Sequence, residues 1–404
     1  AEVEELPSPV AWALDRAEHA AVATSGGGSP DGAVGGSAEA DTLARDLRAP
    51  TRSAIPDTQP SFEDAFIVLC RAPEQVRGAL DAGARRIALD FLDLVGLKEA
   101  SRDLAAAGVR RTLALPRVQK PGEERIESFF LGLGPEEILV RSLGSLERLR
   151  GLRAEFTKRV YPRLIGDVSL NAVNRDAVEI LLGLGLDRVT PGMDLNGEQL
   201  ESLVEAIAPG AGTARCEVSI HHHLPLFHTE HCVFAAFLSD GADFRTCGRP
   251  CDRHRIALRD RTGQEHPVVA DVGCRNTVFG GRPLSALAHL AGLRRAGVAH
   301  FRVEMITQDR RGAARLVEVH RSVWEGRVAT AEALRTLQAD SAYGVSVGSP
   351  EPARTPVSRP AGSRAKPSGA GMDKGRPRAA RPDRARVVNR SHAGDEPRRP
   401  RWKD

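Results

Sequence analysis

From Phe62 to Trp324, short apolar runs alternate with stretches whose apolar residues recur at helical spacing. The apolar runs predict strands at Phe66–Arg71, Arg86–Asp90, Thr112–Pro116, Glu137–Arg141, Leu164–Leu170, Arg188–Pro191, Cys216–His221 and Ala299–Glu304. The stretches between them predict helices at Pro73–Ala82, Leu97–Ala107, Glu123–Leu131, Ser145–Glu155, Arg175–Gly183, Gly197–Ile207, Leu284–Ala296 and Gly312–Trp324. Periodicity alone also allows a doubly wound sheet. The count of eight units favours an α/β chain folded as a (β/α)8 TIM-like barrel. Gly83, Gly108, Gly185 and Gly297 fall where helices should end.

One long interruption breaks the alternation. Between the seventh strand and its helix lies a Cys-rich insertion, with a β-rich excursion at Arg255–Asp271. The stretch Glu217–Cys274 holds seven of the twelve histidines and four of the six cysteines. The thiols Cys232, Cys247, Cys251 and Cys274 are spaced C-x14-C-x3-C-x22-C among Gly241, Gly248, Pro250 and Gly273. Such a set suits a soft centre, a [4Fe-4S] cluster or alternatively zinc. The plainer reading is that they are small buried apolar residues. Barrel active sites lie at the C-terminal ends of the strands, which is where the insertion emerges.

The flanks read differently. Residues 1–60 form a low-complexity lead-in, with the linker Ser25–Ala40 and a short helix at Asp41–Leu47. Residues 61–330 form the barrel domain, and residues 345–404 a disordered basic tail. From Glu351 to Asp404 there are 15 Lys and Arg against 6 Asp and Glu, a net of +9. The whole chain carries +4, so residues 1–350 carry −5. The basicity therefore belongs to the tail, which can hold RNA through phosphates or simply be solvated. No apolar run reaches membrane-spanning length, so no membrane is expected. Glu2, Glu4 and Glu5 open the chain without a signal-peptide pattern, and the location expected is cytoplasmic. The first residue is Ala1 rather than Met, as in a fragment or a processed chain.

Several side chains could carry chemistry. His221 and His223 share one side of an extended segment, and His228 and Glu230 follow. They could hold a catalytic metal, serve as substrate-binding or proton-transfer groups, or be structural. Arg71, Arg117, Lys120 and Arg141 sit at or just after strands and could meet an anionic substrate. Asn171, Asn174, Asp194 and Glu304 could orient a ligand. Neither G-x-S-x-G nor H-E-x-x-H occurs, and Cys232 beside His231 is a weak thiol–base pair because sequence neighbours rarely face each other.

Seven stretches stand out: LCRAPEQVRGALDAG (Leu69–Gly83), LPRVQKPGEE (Leu115–Glu124), GDVSLNAVN (Gly166–Asn174), HHHLPLFHTEHCVF (His221–Phe234), CGRPCDRH (Cys247–His254), LRDRTGQEHPVVADVGCRNTVF (Leu258–Phe279) and FRVEM (Phe301–Met305). In these, from about Phe66 to Gln308, the chain resembles peptidase family U32, often labelled collagenase-like proteases. The family label implies proteolysis. Relatives with a similar cysteine set imply a [4Fe-4S] cluster and oxygen-independent hydroxylation of RNA bases or of the ubiquinone ring. By motif position, the resemblance puts the cluster ligands on Cys232, Cys247, Cys251 and Cys274. Similar members read HCVFC where this chain reads HCVFA, with Ala235 at the departure. The expectation is an iron–sulfur enzyme of the hydroxylation type, working on an RNA base or a small anionic or aromatic substrate with an electron-donor protein. The alternatives are a U32-type peptidase and a non-catalytic RNA-binding accessory protein.

Overall fold

The structure is a computed structural model. It describes residues 60–341, apart from 155, 157–159, 208–214 and 242, together with the backbone of residues 386–390. The lead-in expected at 1–60, with its helix at Asp41–Leu47, and nearly all of the basic tail lie outside the described residues.

The chain is mixed α/β. Its first half runs α1 (Phe62–Ala65), β1 (Phe66–Cys70), α2 (Pro73–Asp81), β2 (Arg86–Leu89), α3 (Leu97–Ala106), β3 (Arg110–Ala114), α4 (Arg125–Gly132), β4 (Glu137–Val140), α5 (Leu143–Arg153), β5 (Arg163–Gly166), α6 (Arg175–Gly183), β6 (Arg188–Val189) and α7 (Gly197–Ile207). Then come β7 (Glu217–Thr229), α8 (Val233–Leu238), β8 (Arg255–Arg259), β9 (Glu265–Ala270), β10 (Asn276–Ser285), α9 (Leu290–Ala296), β11 (His300–Glu304), α10 (Arg310–Trp324), α11 (Thr330–Asp340) and β12 (Arg386–Arg390).

One curled sheet holds every strand, in the order β12-β8-β9-β10-β7-β11-β1-β2-β3-β4-β5-β6. From β7 to β6 neighbouring strands are parallel. A parallel bridge between Val189 and Cys216 then joins β6 to the residue just before β7. Parallel pairing needs crossover helices, and α2 to α7 and α9 supply them, with α10 following the last parallel strand. Their apolar sides cover the outer face of the sheet, where Phe66, Val68, Leu113, Ile138, Phe301 and Leu316 share one core.

The inner face is layered. Alternation along each strand puts Ile67, Leu69, Ala88, Ala114, Leu139 and Ile165 together in a thin apolar band. On the side of the strand N-termini the band meets buried ionic groups. Arg188 donates to Glu137 at 2.6 and 3.0 Å and to Glu217 at 2.7 Å, and Thr112 Oγ1 donates to Glu137 at 2.9 Å. On the other side Arg141 donates to Asp90 at 2.6 and 3.0 Å and to Asp167 at 2.8 Å, while Arg302 donates to Asp167 at 2.6 Å. Burial pushes the Glu137 carboxyl up, but Arg188 and Arg86 outweigh it and hold it well below its usual value.

The seventh strand, expected over Cys216–His221, runs on to Thr229, and four further elements differ from the sequence reading. The strand expected over Leu164–Leu170 stops at Gly166, because the Asp167 side chain caps a short 3-10 turn by accepting from the Val168 N–H. The helix expected over Leu284–Ala296 starts only at Leu290, because Asn276–Ser285 is drawn into β10 by pairing with β7. Helix α11 was not anticipated; it buries Ala333 and Leu337. Within the tail expected to lack structure, Arg386–Arg390 is a strand paired antiparallel to β8 over Arg255–Arg259.

Candidate functional site

The long strand β7 positions most of the candidates, and one irregularity decides where they point. Glu217 and Ser219 face inward opposite His300 and Arg302 of β11, but the next pairing is Val303 with His221. One extra residue, Ile220, is thus accommodated on β7, and such a bulge re-aims every side chain beyond it. His222 therefore joins the inner face, where its ring feels Glu304, Arg302 and Arg71. His221 and His223 do share a side, as their spacing predicts, but it is the outer one. There the His221 ring lies edge-on to His320 of α10, with 5.5 Å between centroids.

His222 is the residue that sequence reasoning passed over. It is 8% exposed, and neither ring nitrogen has a hydrogen-bond partner. Burial pushes its pKa down to about 4 despite the attraction of Glu304, so the ring is neutral at pH 7. Only the bulge, which leaves no mark in the spacing, turns it inward.

The four expected cations do not act alike. Arg71 pairs with Asp90 at 2.8 Å and Glu304 at 2.9 Å, and also donates to the Met305 carbonyl at 2.9 Å. Arg141 is committed to Asp90 and Asp167. Three guanidiniums, of Arg71, Arg141 and Arg302, thus face three carboxylates, of Asp90, Asp167 and Glu304, and the group is balanced. Arg117 is exposed on the loop after β3, and its charge helps Arg275 to lower the His228 pKa, after burial. Lys120 pairs with Glu230, which also accepts from Arg275 at 3.1 Å. Arg275 reaches on to Glu123 at 2.6 Å. This chain of charges ties the loop after β3 to the end of β7. Asn171 has φ 54° and closes the turn after β5, a left-handed position that Asn tolerates. Asn174 caps α6 by accepting from the Ala177 N–H at 2.8 Å.

His228 Nδ1 lies 2.9 Å from Thr277 Oγ1 and 3.8 Å from Asp271. Asp271 is buried, and its Oδ1 has no hydrogen-bond partner among the described residues. Burial and the charge of Asp90 push its pKa up to about 7. Neither Asp271 nor Arg275 stands at a predicted strand end, so neither was marked in the sequence.

The four insertion thiols come together. Cys232, Cys247, Cys251 and Cys274 line one cavity of about 150 Å³, with Leu94, Phe234 and Pro250 among its walls. The chain bends tightly around it: Gly248, Arg249, Gly273 and Cys274 all have positive φ, between 53° and 80°. Cys232 is the N-cap of α8, and its sulfur accepts the Ala235 N–H at 3.4 Å. The Cys247 sulfur accepts the Arg249 N–H, also at 3.4 Å. The Val272 N–H donates to the Leu92 carbonyl at 2.7 Å, which pins the insertion on the loop after β2. Burial raises the Cys251 thiol to about 12 and the Cys274 thiol to about 11, with neighbouring thiols adding to both. Cys70 and Cys216, by contrast, are buried in the core outside the sheet. Among the described residues no three His, Cys, Asp or Glu stand close enough to hold a single metal ion.

Residues 156–343 match the family model of peptidase family U32. The match takes in β5 to α11 and the thiol insertion, and leaves β1 to β4 outside. No curated protein matches the chain. Among solved structures, the U32 peptidase Mk0906 is 10% identical, with a TM-score of 0.32, covering 42% of this chain and 73% of that one. A native KDPGal structure is 12% identical, with a TM-score of 0.36 and coverage of 69% and 100%. Thiamine phosphate pyrophosphorylase from Pyrococcus furiosus is 9% identical, with a TM-score of 0.32 and coverage of 64% and 98%.

Proposed function

Because residues 156–343 belong to peptidase family U32, we propose that the chain is an iron–sulfur enzyme of the oxygen-independent hydroxylation type, acting on an RNA base or a small aromatic substrate. The observation that carries this reading is the cavity shared by Cys232, Cys247, Cys251 and Cys274. Four thiolates match a [4Fe-4S] cluster one to one, and N–H donors on two of the sulfurs tune such a centre. Four thiolates also suit a zinc ion at about 2.3 Å from each sulfur; the match to the U32 family is what favours the cluster. When bound, the cluster would supply or accept a single electron.

The chain's own residues do the rest in this reading. Asp271 lies between the thiol cavity, which it helps line, and the ion-paired inner face. It can hold a proton on its carboxyl near neutral pH. His222 carries two buried ring nitrogens with no protein partner. Arg71 and Arg141 act here as supports, holding Asp90 and Glu304 in place, while Arg117 remains at the surface for an anionic group. Among the described residues no histidine is hydrogen-bonded to a thiol, so no specific observation favours the peptidase reading.

The architecture that goes with this reading is a closed (β/α)8 barrel with the thiol insertion after its seventh strand. The parallel run from β7 to β6 and the Val189–Cys216 bridge support it. The folded domain then runs from residue 61 past the expected boundary at 330, since α11 packs on the same core. Among the described residues no helix is long and apolar enough to cross a membrane.

The test is anaerobic purification with iron, sulfide and zinc analysis. The reading expects about four iron and four sulfide per chain, with a brown thiolate–iron absorbance. Stoichiometric zinc without sulfide would overturn it.

A further inference from the structure

A second cavity is walled in part by the β8–β9 hairpin. It encloses about 640 Å³ and shares no lining residue with the thiol cavity. That volume falls in the range of small-molecule sites, roughly 300–1,000 Å³. Its walls come from the outer face of β7, the β8–β9 hairpin, the loop after β11, and helices α10 and α11. The buried part is apolar: Ile256, Val268, Ile306, Leu316 and Leu337 are each under 7% exposed.

Two histidines on the lining each leave a ring nitrogen for a ligand. His221 is 2% exposed, and its Nδ1 has no hydrogen-bond partner. His223 Nδ1 lies 2.7 Å from the Gly280 carbonyl, so it carries the proton and leaves Nε2 as an acceptor. The carboxylates on the lining are already paired, Glu265 with Arg259 at 2.6 Å and Asp340 with Arg315 at 2.9 Å. Arg255 and Arg311, both exposed, have no carboxylate partner among the described residues. The balance is a pocket with two imidazoles and two surplus positive charges.

We propose that this cavity is a second ligand site, for a small organic anion with a flat apolar body. The apolar part lies against Ile306, Leu316 and Leu337, and the anionic group meets Arg255 and Arg311. A hydrogen-bond donor on the ligand reaches His223 Nε2. The site is separate from the redox centre proposed above and does not depend on it.

The experiment uses the full chain and two dyes of the same aromatic body. One is 8-anilinonaphthalene-1-sulfonate, which is anionic; the other is N-phenyl-1-naphthylamine, which is neutral. Saturable fluorescence enhancement at about one anionic dye per chain is expected. Arg255→Glu and Arg311→Glu should each weaken the anionic dye roughly tenfold or more and leave the neutral one within about twofold. Both changes are at exposed positions, so the variants should keep the wild-type thermal transition. Leu337→Trp, which fills the cavity, should weaken both dyes. Equal affinity of the anionic dye for wild type and both charge-reversed variants would overturn the proposal.

Discussion

Glu137 gives the sharpest test of how the inner face is held. Its side chain is fully buried. It accepts from Arg188 at 2.6 and 3.0 Å and from Thr112 at 2.9 Å, and Arg86 lies at 3.5 Å. Around it, the buried charges of Arg86 and Arg188 balance those of Glu137 and Glu217. Glu137→Gln keeps the shape and leaves one buried positive charge uncompensated. Breaking a buried pair in this way costs about 3–5 kcal/mol, a large share of the roughly 5–15 kcal/mol that holds a domain together. Replacing both partners, as Glu137→Met with Arg188→Met, restores the balance and should cost much less than the single change. Urea unfolding followed by circular dichroism measures both. The pH dependence adds a second check. The folded Glu137 pKa lies below its ordinary value of 4.5, so its stabilisation is fully present above that pH and is lost as the pH falls. Wild type should therefore lose stability below about pH 4.5 more steeply than Glu137→Gln. A single variant within about 1 kcal/mol of wild type, or a double variant worse than the single, would refute the dry, balanced layer.

Three further outcomes follow from the geometry. Alanine at Cys232, Cys247, Cys251 or Cys274 should lower the iron content of anaerobically prepared protein, whereas alanine at Cys70 or Cys216 should leave it unchanged; metal loss in Cys216→Ala with retention in Cys274→Ala would sink the assignment. A chain cut at Ser349 should keep its thermal transition, because the core needs none of the tail, yet should show faster hydrogen exchange along Arg255–Arg259, which loses its partner strand. Leu in place of His222 removes two buried nitrogens that lack partners, so melting should rise by the equivalent of about 1–3 kcal/mol; a marked fall would mean that the ring is held by buried water.

The alternation of apolar and amphipathic runs was enough to read the parallel strands and their crossover helices, because each strand is buried on both faces. Strand-end polarity likewise flagged Arg71, Arg141 and Glu304, which the sheet brings within 3 Å of charged partners. What the sequence did not carry was the pairing state of those ends. Arg71 and Arg141 look like free cations until Asp90 and Asp167, themselves strand-end residues, are seen to neutralise them. The HHHLPLFHT run was harder still. Its length as a strand depends on a distant partner, β10, whose own GGRP segment reads as a turn. Local propensity therefore could not reveal it.

The bulge at Ile220 ties these points together. Without it, strict alternation would carry the inward series Glu217, Ser219 on to His221 and His223, and would turn His222 outward. With it, one neutral histidine enters the ion-paired inner face, and two line a cavity on the opposite side of the same strand. The strand then continues to Thr229, and three residues later Cys232 begins the thiol set. A single inserted residue thus separates what one histidine-rich run would otherwise have merged. The inner face gains one neutral imidazole, and the outer cavity gains two. Because β7 runs from the inner face to the thiol segment without a break, its register fixes all three places at once. A change that shifts β7 by one residue should therefore disturb the inner face, the outer cavity and the thiols together, whereas changes within any one of them should stay local.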